Sequence, residues 1–129
     1  MVKEFRSASG HVIELPGGSV MDSSLSAAEV ALEECREEIG FVASADHLID
    51  LGVPRGAAPT LASHRVAAFA VETSAERMEQ FKKETRSFGK EEDTERTFVV
   101  VKSIRQCFAE PDVCWTTLGI LSTLMQKIK

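Results

Sequence analysis

The chain has 129 residues, 43% of them apolar and 27% charged, enough for one domain around one ordinary core and too few for two. A net charge of −5 argues against a nucleic-acid backbone as partner, because phosphate binding draws on an excess of Lys and Arg; a bound cation, however, lets acidic side chains meet a small anionic ligand. Three cysteines without CxxC spacing, and no apolar run near the ~20 residues that cross a bilayer, point to a reducing compartment, no membrane and a cytoplasmic location.

In chain order, residues 2–6 read as a short strand, 7–10 as a turn and 11–15 as a second strand, broken sharply by Pro16, Gly17 and Gly18. Ser23, Ser24 and Ser26 offer helix-capping oxygens, and Ser26 fits best because Glu29 completes a capping box. A helix is expected over 27–39, with Ala27, Val30, Ala31 and Cys35 toward the core and Gly40 as its stop. Residues 48–53 read as a strand, 54–62 as a loop rich in Gly, Pro and Ala, 64–72 as an alternating strand and 75–84 as a helix or turn. Residues 86–96 form a charged loop, 97–102 a β-branched strand, 103–108 a short helix, and Glu110, Pro111 and Asp112 a turn. The closing helix, 116–128, places Leu118, Leu121, Leu124, Met125 and Ile128 on one face. Helices and strands interleave, but most strand connections are too short for crossover helices. The expected class is α+β, a mixed-sheet sandwich rather than a doubly wound parallel sheet.

The helix over 27–39 carries the chemistry. Glu34, Glu37 and Glu38 stand three and four residues apart, so their carboxylates share one patch, bordered by Glu33. Like charges at this spacing destabilise a helix, and acidic residues in its last turn oppose the dipole; only Arg36 sits among them. Such a sequence either presents a solvated face or gains from a cation. Mg²⁺ takes oxygen ligands and keeps water and substrate phosphates in its shell, which suits clustered carboxylates. The Pro16-Gly17-Gly18 turn ahead of the helix lets backbone approach a ligand closely.

These residues resemble the Nudix hydrolase family, whose signature opens on Gly and closes on Arg-Glu-aliphatic-x-Glu-Glu-x-Gly-aliphatic. Here Gly17-Gly18 and Glu34-Cys35-Arg36-Glu37-Glu38-Ile39-Gly40-Phe41 stand at its two ends. Val2-Lys3-Glu4-Phe5-Arg6, Gly10 and Glu14-Leu15-Pro16-Gly17-Gly18 are similar to the branch that cleaves ADP-ribose and nucleotide sugars. Leu25-Ser26, Glu29-Val30-Ala31, Phe108-Ala109-Glu110-Pro111-Asp112 and Thr117-Leu118-Gly119-Ile120 resemble its UDP-sugar group. The resemblance implies a single Nudix-like domain over 1–129, an αβα sandwich with a mixed β-sheet, that hydrolyses a nucleoside diphosphate sugar of the UDP-glucose or ADP-ribose type with Mg²⁺ or Mn²⁺. It implies Gly17, through its carbonyl, and Glu34, Glu37 and Glu38 as metal ligands, with Glu37 and Glu38 also catalytic, and Arg6, Gly18 and His64 on the substrate. An acidic loop before a late strand often supplies a base or further ligand in such proteins; Glu91, Glu92, Asp93 and Glu95 occupy that place, with Glu92 favoured, and a solvated charge run is the alternative. A homodimer is common among similar proteins.

Two departures are visible. Glu33 stands where the signature has Arg or Lys, reversing a charge beside the ligand patch, and Leu25 lies near an expected upstream Glu. Longer relatives also carry sequence ahead of the Phe-Arg strand, so a missing N-terminal segment is expected. The opposing reading is therefore a Nudix-like domain that binds a ligand or a protein without turnover. Trp115 could stack on a base or serve as a core or lid aromatic, and Cys35 reads as a small core hydrophobe.

Overall fold

A computed structural model of the chain describes residues 1–6, 10–22, 24–58, 63–89 and 96–128. In order, its elements are β1 (Val2–Arg6), β2 (Gly10–Glu14), α1 (Ala27–Ile39), a 3₁₀ turn (Ala45–His47), β3 (Leu48–Asp50), β4 (Arg55–Gly56), β5 (Arg65–Val66), β6 (Phe69–Val71), α2 (Ala75–Lys83), β7 (Ser87–Phe88), β8 (Thr97–Val99), α3 (Ile104–Ala109) and α4 (Trp115–Lys127). No helix among the described residues is long and apolar enough to cross a membrane.

The main sheet has the order β2-β1-β8-β7, and every named strand pair in the molecule is antiparallel. The class is α+β, but the expected mixed sheet is corrected: parallel pairing among the described residues is confined to one bridge, Ile13 with Val113. One short connection explains part of this. Only three residues of sequence separate β1 from β2, too few for the crossover that a parallel pair needs, and the two strands pair antiparallel. Two further antiparallel pairs, β3 with β6 and β4 with β5, form separate two-stranded ladders.

The register of β1 decides what the sheet presents. Val2 opposes Glu14 and Val99, Glu4 opposes Val12 and Thr97, and Arg6 opposes Gly10. Paired residues share a face, so Val2, Glu4, Arg6, Glu14, Thr97 and Val99 lie on one side. That side receives α1. Thr97 is fully buried and donates its hydroxyl to the Glu38 carbonyl at 3.0 Å, while the Gly89 N–H donates to the Glu37 carbonyl at 3.2 Å.

Local sequence fixes α1 at both ends. The Ser26 hydroxyl accepts the Glu29 N–H at 3.2 Å, and the Glu29 carboxylate accepts the Ser26 N–H at 2.7 Å. Those donors hold the Glu29 carboxyl below its ordinary pKa, the Ser26 N–H foremost. At the other end Gly40 takes φ 62°, and the Gly40 and Phe41 N–H groups return to the Arg36 and Cys35 carbonyls. Arg77 of α2 donates to the Gly40 carbonyl at 2.8 Å and lies over the Phe81 ring at 4.8 Å. A cation is thus supplied at the acidic C-terminal end of the helix, where the dipole favours it.

Other expected elements are shortened for visible reasons. The strand over 48–53 stops at Asp50, whose carboxylate accepts the Gly52 N–H at 2.8 Å in a turn that holds Gly52 at φ 117°. The strand over 64–72 divides into β5 and β6, which pair with β4 and β3 respectively. Val2, Ile13, Val30, Leu51, Cys107, Val113 and Leu121 are buried. Ala27, Ala31 and Cys35 are only half-buried, and of the expected core face of α4, Met125 and Ile128 are exposed.

Two substitutions separate the devices that delimit α1. Ser26→Ala removes the cap and should cost about 1 kcal/mol. Gly40→Ala should cost more, because a left-handed backbone strains an L-residue by about 1–2 kcal/mol and the new Cβ would sit 2.7 Å from the Phe88 ring. Urea midpoints at unchanged slope measure both; an unaltered midpoint for Gly40→Ala would contradict this packing.

Candidate functional site

Three chain segments meet at the candidate site: β1 and β2 of the main sheet, the turn through Gly17 and Gly18, and the C-terminal half of α1. The turn folds back onto the helix. The Gly17 N–H donates to Glu38 Oε2 at 3.1 Å, joining residues 21 apart in sequence. Glu38 is buried, with a relative exposure of 8%, so its carboxylate needs such donors to replace water. Gly18 lies against Glu34, and a Cβ at Gly18 would sit 2.5 Å from the Glu34 carboxyl carbon. Glycine there leaves room for the neighbouring carboxylate rather than serving backbone conformation, since Gly18 does not lie in the left-handed region.

Glu37 is half-buried, and its carboxylate stands 3.6 Å from Arg36 Nη2. Glu33 is exposed and equally distant from the same guanidinium, so Arg36 divides its charge between the two acids. Half-exposed pairs at that separation are worth little, a few tenths of a kcal/mol at most. Cys35, between these carboxylates, has its thiol pKa pushed up by burial first and then by Glu38, with a smaller push from Glu34, so it stays protonated at neutral pH.

Arg6 is brought to the same sheet face. Its Nη2 stands 2.8 Å from Glu4 Oε2 and 3.0 Å from Glu14 Oε1. Sequence reasoning did not single out Glu4 or Glu14 as site residues. Their alternation with Arg6 on paired strands is the signal that would have found Glu4; Glu14 follows only from the strand register.

The structure brings Gly17 and Gly18 against Glu38 and Glu34 of α1, which also carries Glu37, and sets Arg6 on the sheet face that receives this helix, paired with Glu4 and Glu14. It does not gather His64, which lies exposed ahead of β5 on a different ladder. Glu91, Glu92, Asp93 and Glu95 lie outside the described residues. Trp115 is neither core nor buried: it is 87% exposed at the start of α4 and lines a separate cavity of about 270 Å³ with Val53, Arg55, Val66 and Ile120. None of the gathered residues lines that cavity.

The donor chemistry at the turn and helix suits a hard divalent cation, with three carboxylates and a backbone carbonyl as oxygen donors. Their arrangement is not that of a closed cage. Among the described residues, no group of three or more His, Cys, Asp or Glu side chains is positioned to hold a metal ion. Glu38 is turned to the Gly17 N–H, Glu34 to Gly18 and Glu37 toward Arg36. Ligation would require these side chains to reorient around a common point.

No family model matches the chain, and no curated protein and no solved structure matches it.

Gly18→Ala should displace the Glu34 carboxylate while changing stability little, because the far end of a flexible side chain gives way. Gly17→Ala, whose nearest neighbour would be the Leu15 carbonyl oxygen at 4.0 Å, should leave Glu34 in place. The Glu34 carboxyl ¹³C resonance reports this directly; equal shifts in both variants would contradict the close approach at Gly18.

Proposed function

We propose that the turn–helix unit holds Mg²⁺ or Mn²⁺ against the diphosphate of a nucleoside diphosphate sugar, of the UDP-glucose or ADP-ribose type, and that the protein hydrolyses this bond to a sugar phosphate and a nucleoside monophosphate. The reading takes the chain as a single Nudix-like domain working in the cytoplasm. The observation that carries it is the contact of the glycine turn with two carboxylates of one helix, Gly17 with Glu38 and Gly18 with Glu34, beside an arginine on the underlying sheet.

In this reading each residue has a defined task. Glu34, Glu37, Glu38 and the Gly17 carbonyl are the oxygen donors available to the cation. When bound, the cation would polarise a phosphoryl oxygen and lower the pKa of water. Arg6 offers a planar guanidinium that can meet two phosphate oxygens at once. Gly18 keeps the approach to Glu34 clear. The chain's negative charge is then no obstacle to an anionic substrate, since the substrate arrives with its cation.

A second reading, binding without turnover, is favoured by two observations. Glu33 stands on the exposed flank of α1 beside Arg36. The carboxylates also face separate partners rather than a common point. A Glu33→Arg variant distinguishes the two readings, because restored activity would mark a site impaired by that charge.

The test is incubation with UDP-glucose and with ADP-ribose in Mg²⁺ or Mn²⁺, beside a Glu37→Gln/Glu38→Gln protein. Release of sugar phosphate and nucleoside monophosphate should occur only with the unaltered helix. Equal background turnover in both proteins would overturn the enzyme reading.

A further inference from the structure

We propose that Glu14 is a releasable internal competitor for Arg6, and Glu4 its fixed anchor, so that a diphosphate binds by taking the place of Glu14; this rests on the diphosphate reading above. The two carboxylates reach the same nitrogen of Arg6, at 2.8 Å for Glu4 and 3.0 Å for Glu14. They differ in environment: the Glu4 side chain is 8% exposed and that of Glu14 is 32% exposed.

Strand register explains how they converge. Arg6 opposes Gly10, whereas Glu14 opposes Val2 at the far end of the same strand pair. The guanidinium is therefore drawn back along β1, over Glu4, toward the point where Leu15, Pro16 and Gly17 leave the sheet. Glu14 is the last residue of β2 before that turn. Arg6 thus meets the carboxylate of the residue from which the chain enters the turn.

Burial decides which carboxylate yields. Glu4 is the more buried of the two, so drawing the cation away from it costs more than drawing it away from Glu14. Removing it from Glu14 returns a partly exposed carboxylate to water at small cost, as for most exposed pairs. An incoming phosphate therefore replaces Glu14, and Arg6 ends between Glu4 and the ligand. Two consequences follow. Every anion binds against a fixed internal competitor, so a single weak contact to Arg6 is not enough. A diphosphate, with a second phosphoryl group for the metal and turn, overcomes that threshold where a monoanion does not.

The experiment is calorimetric titration of inorganic pyrophosphate, in Mg²⁺, into the wild type and four variants: Glu14→Gln, Glu4→Gln, Arg6→Gln and Arg6→Gln/Glu14→Gln. Thermal unfolding of each confirms that it is folded. Glu14→Gln should tighten binding about two- to five-fold, the range set by a partly exposed ion pair. Glu4→Gln and Arg6→Gln should weaken it, and the gain from Glu14→Gln should vanish when Arg6 is also replaced. If Glu14→Gln weakens binding or leaves it unchanged while Arg6→Gln weakens it, the competitor role is overturned and the diphosphate reading stands. A gain of equal size in the Arg6→Gln background would also overturn it, since Glu14 would then act by simple repulsion. If pyrophosphate binds none of the five proteins, both ideas fail.

Discussion

Glu38 ties three parts of the chain through one residue. Its carbonyl takes the Thr97 hydroxyl from the sheet, and its carboxylate takes the Gly17 N–H from the turn. The Thr97 contact is fully sheltered from water and the Gly17 contact partly so. A buried carboxylate needs donors in place of water, and the Gly17 N–H is one of them, so this bond helps hold the turn against the helix. The same contact fixes where Gly18 runs, and so brings it against Glu34. The geometry of the candidate site is thus a consequence of how helix, turn and sheet are fastened together.

Charge is distributed around this point in an instructive way. The helix is acidic through its last turn, yet cations stand at its margins: Arg36 on the exposed flank, Arg77 at the C-terminal carbonyl and Arg6 on the sheet below. Each is already engaged with protein groups. An anionic ligand entering here must bring positive charge with it or displace an internal carboxylate, and the proposed metal and the exchange at Arg6 answer those two needs. The exposed ends of this network are screened by solvent and salt, so the buried members, Glu4 and Glu38, carry most of the positional constraint.

What the sequence revealed is governed by how local the cause was. The limits of α1 were legible because Ser26, Glu29 and Gly40 act within one turn of the helix ends. The strands β1 and β2 were legible because sharp turn chemistry bounds them. The division of residues 64–72 was hidden, because Arg65–Val66 and Phe69–Val71 are separated by their choice of different partners, not by any breaker between them. The antiparallel sheet order depends on which strand β8 joins, which no local signal encodes. At the site, the carboxylates of α1 followed from helical spacing. The partners of Arg6 did not, since Glu14 reaches it only through strand register. The exposure of Trp115 and Met125 likewise depends on what packs beside α4, which periodicity alone does not specify.

The central claim is that the turn and helix bind a divalent cation together with a diphosphate. Electron paramagnetic resonance of free Mn²⁺ during titration with the protein measures this directly, with and without inorganic pyrophosphate. The expected result is loss of the free-ion signal in the wild type, larger with pyrophosphate than the sum of the losses that protein and pyrophosphate cause separately, and weakened in Glu37→Gln. Free-ion signals that are identical for wild type and Glu37→Gln, and that in pyrophosphate match the protein-free control, would contradict it.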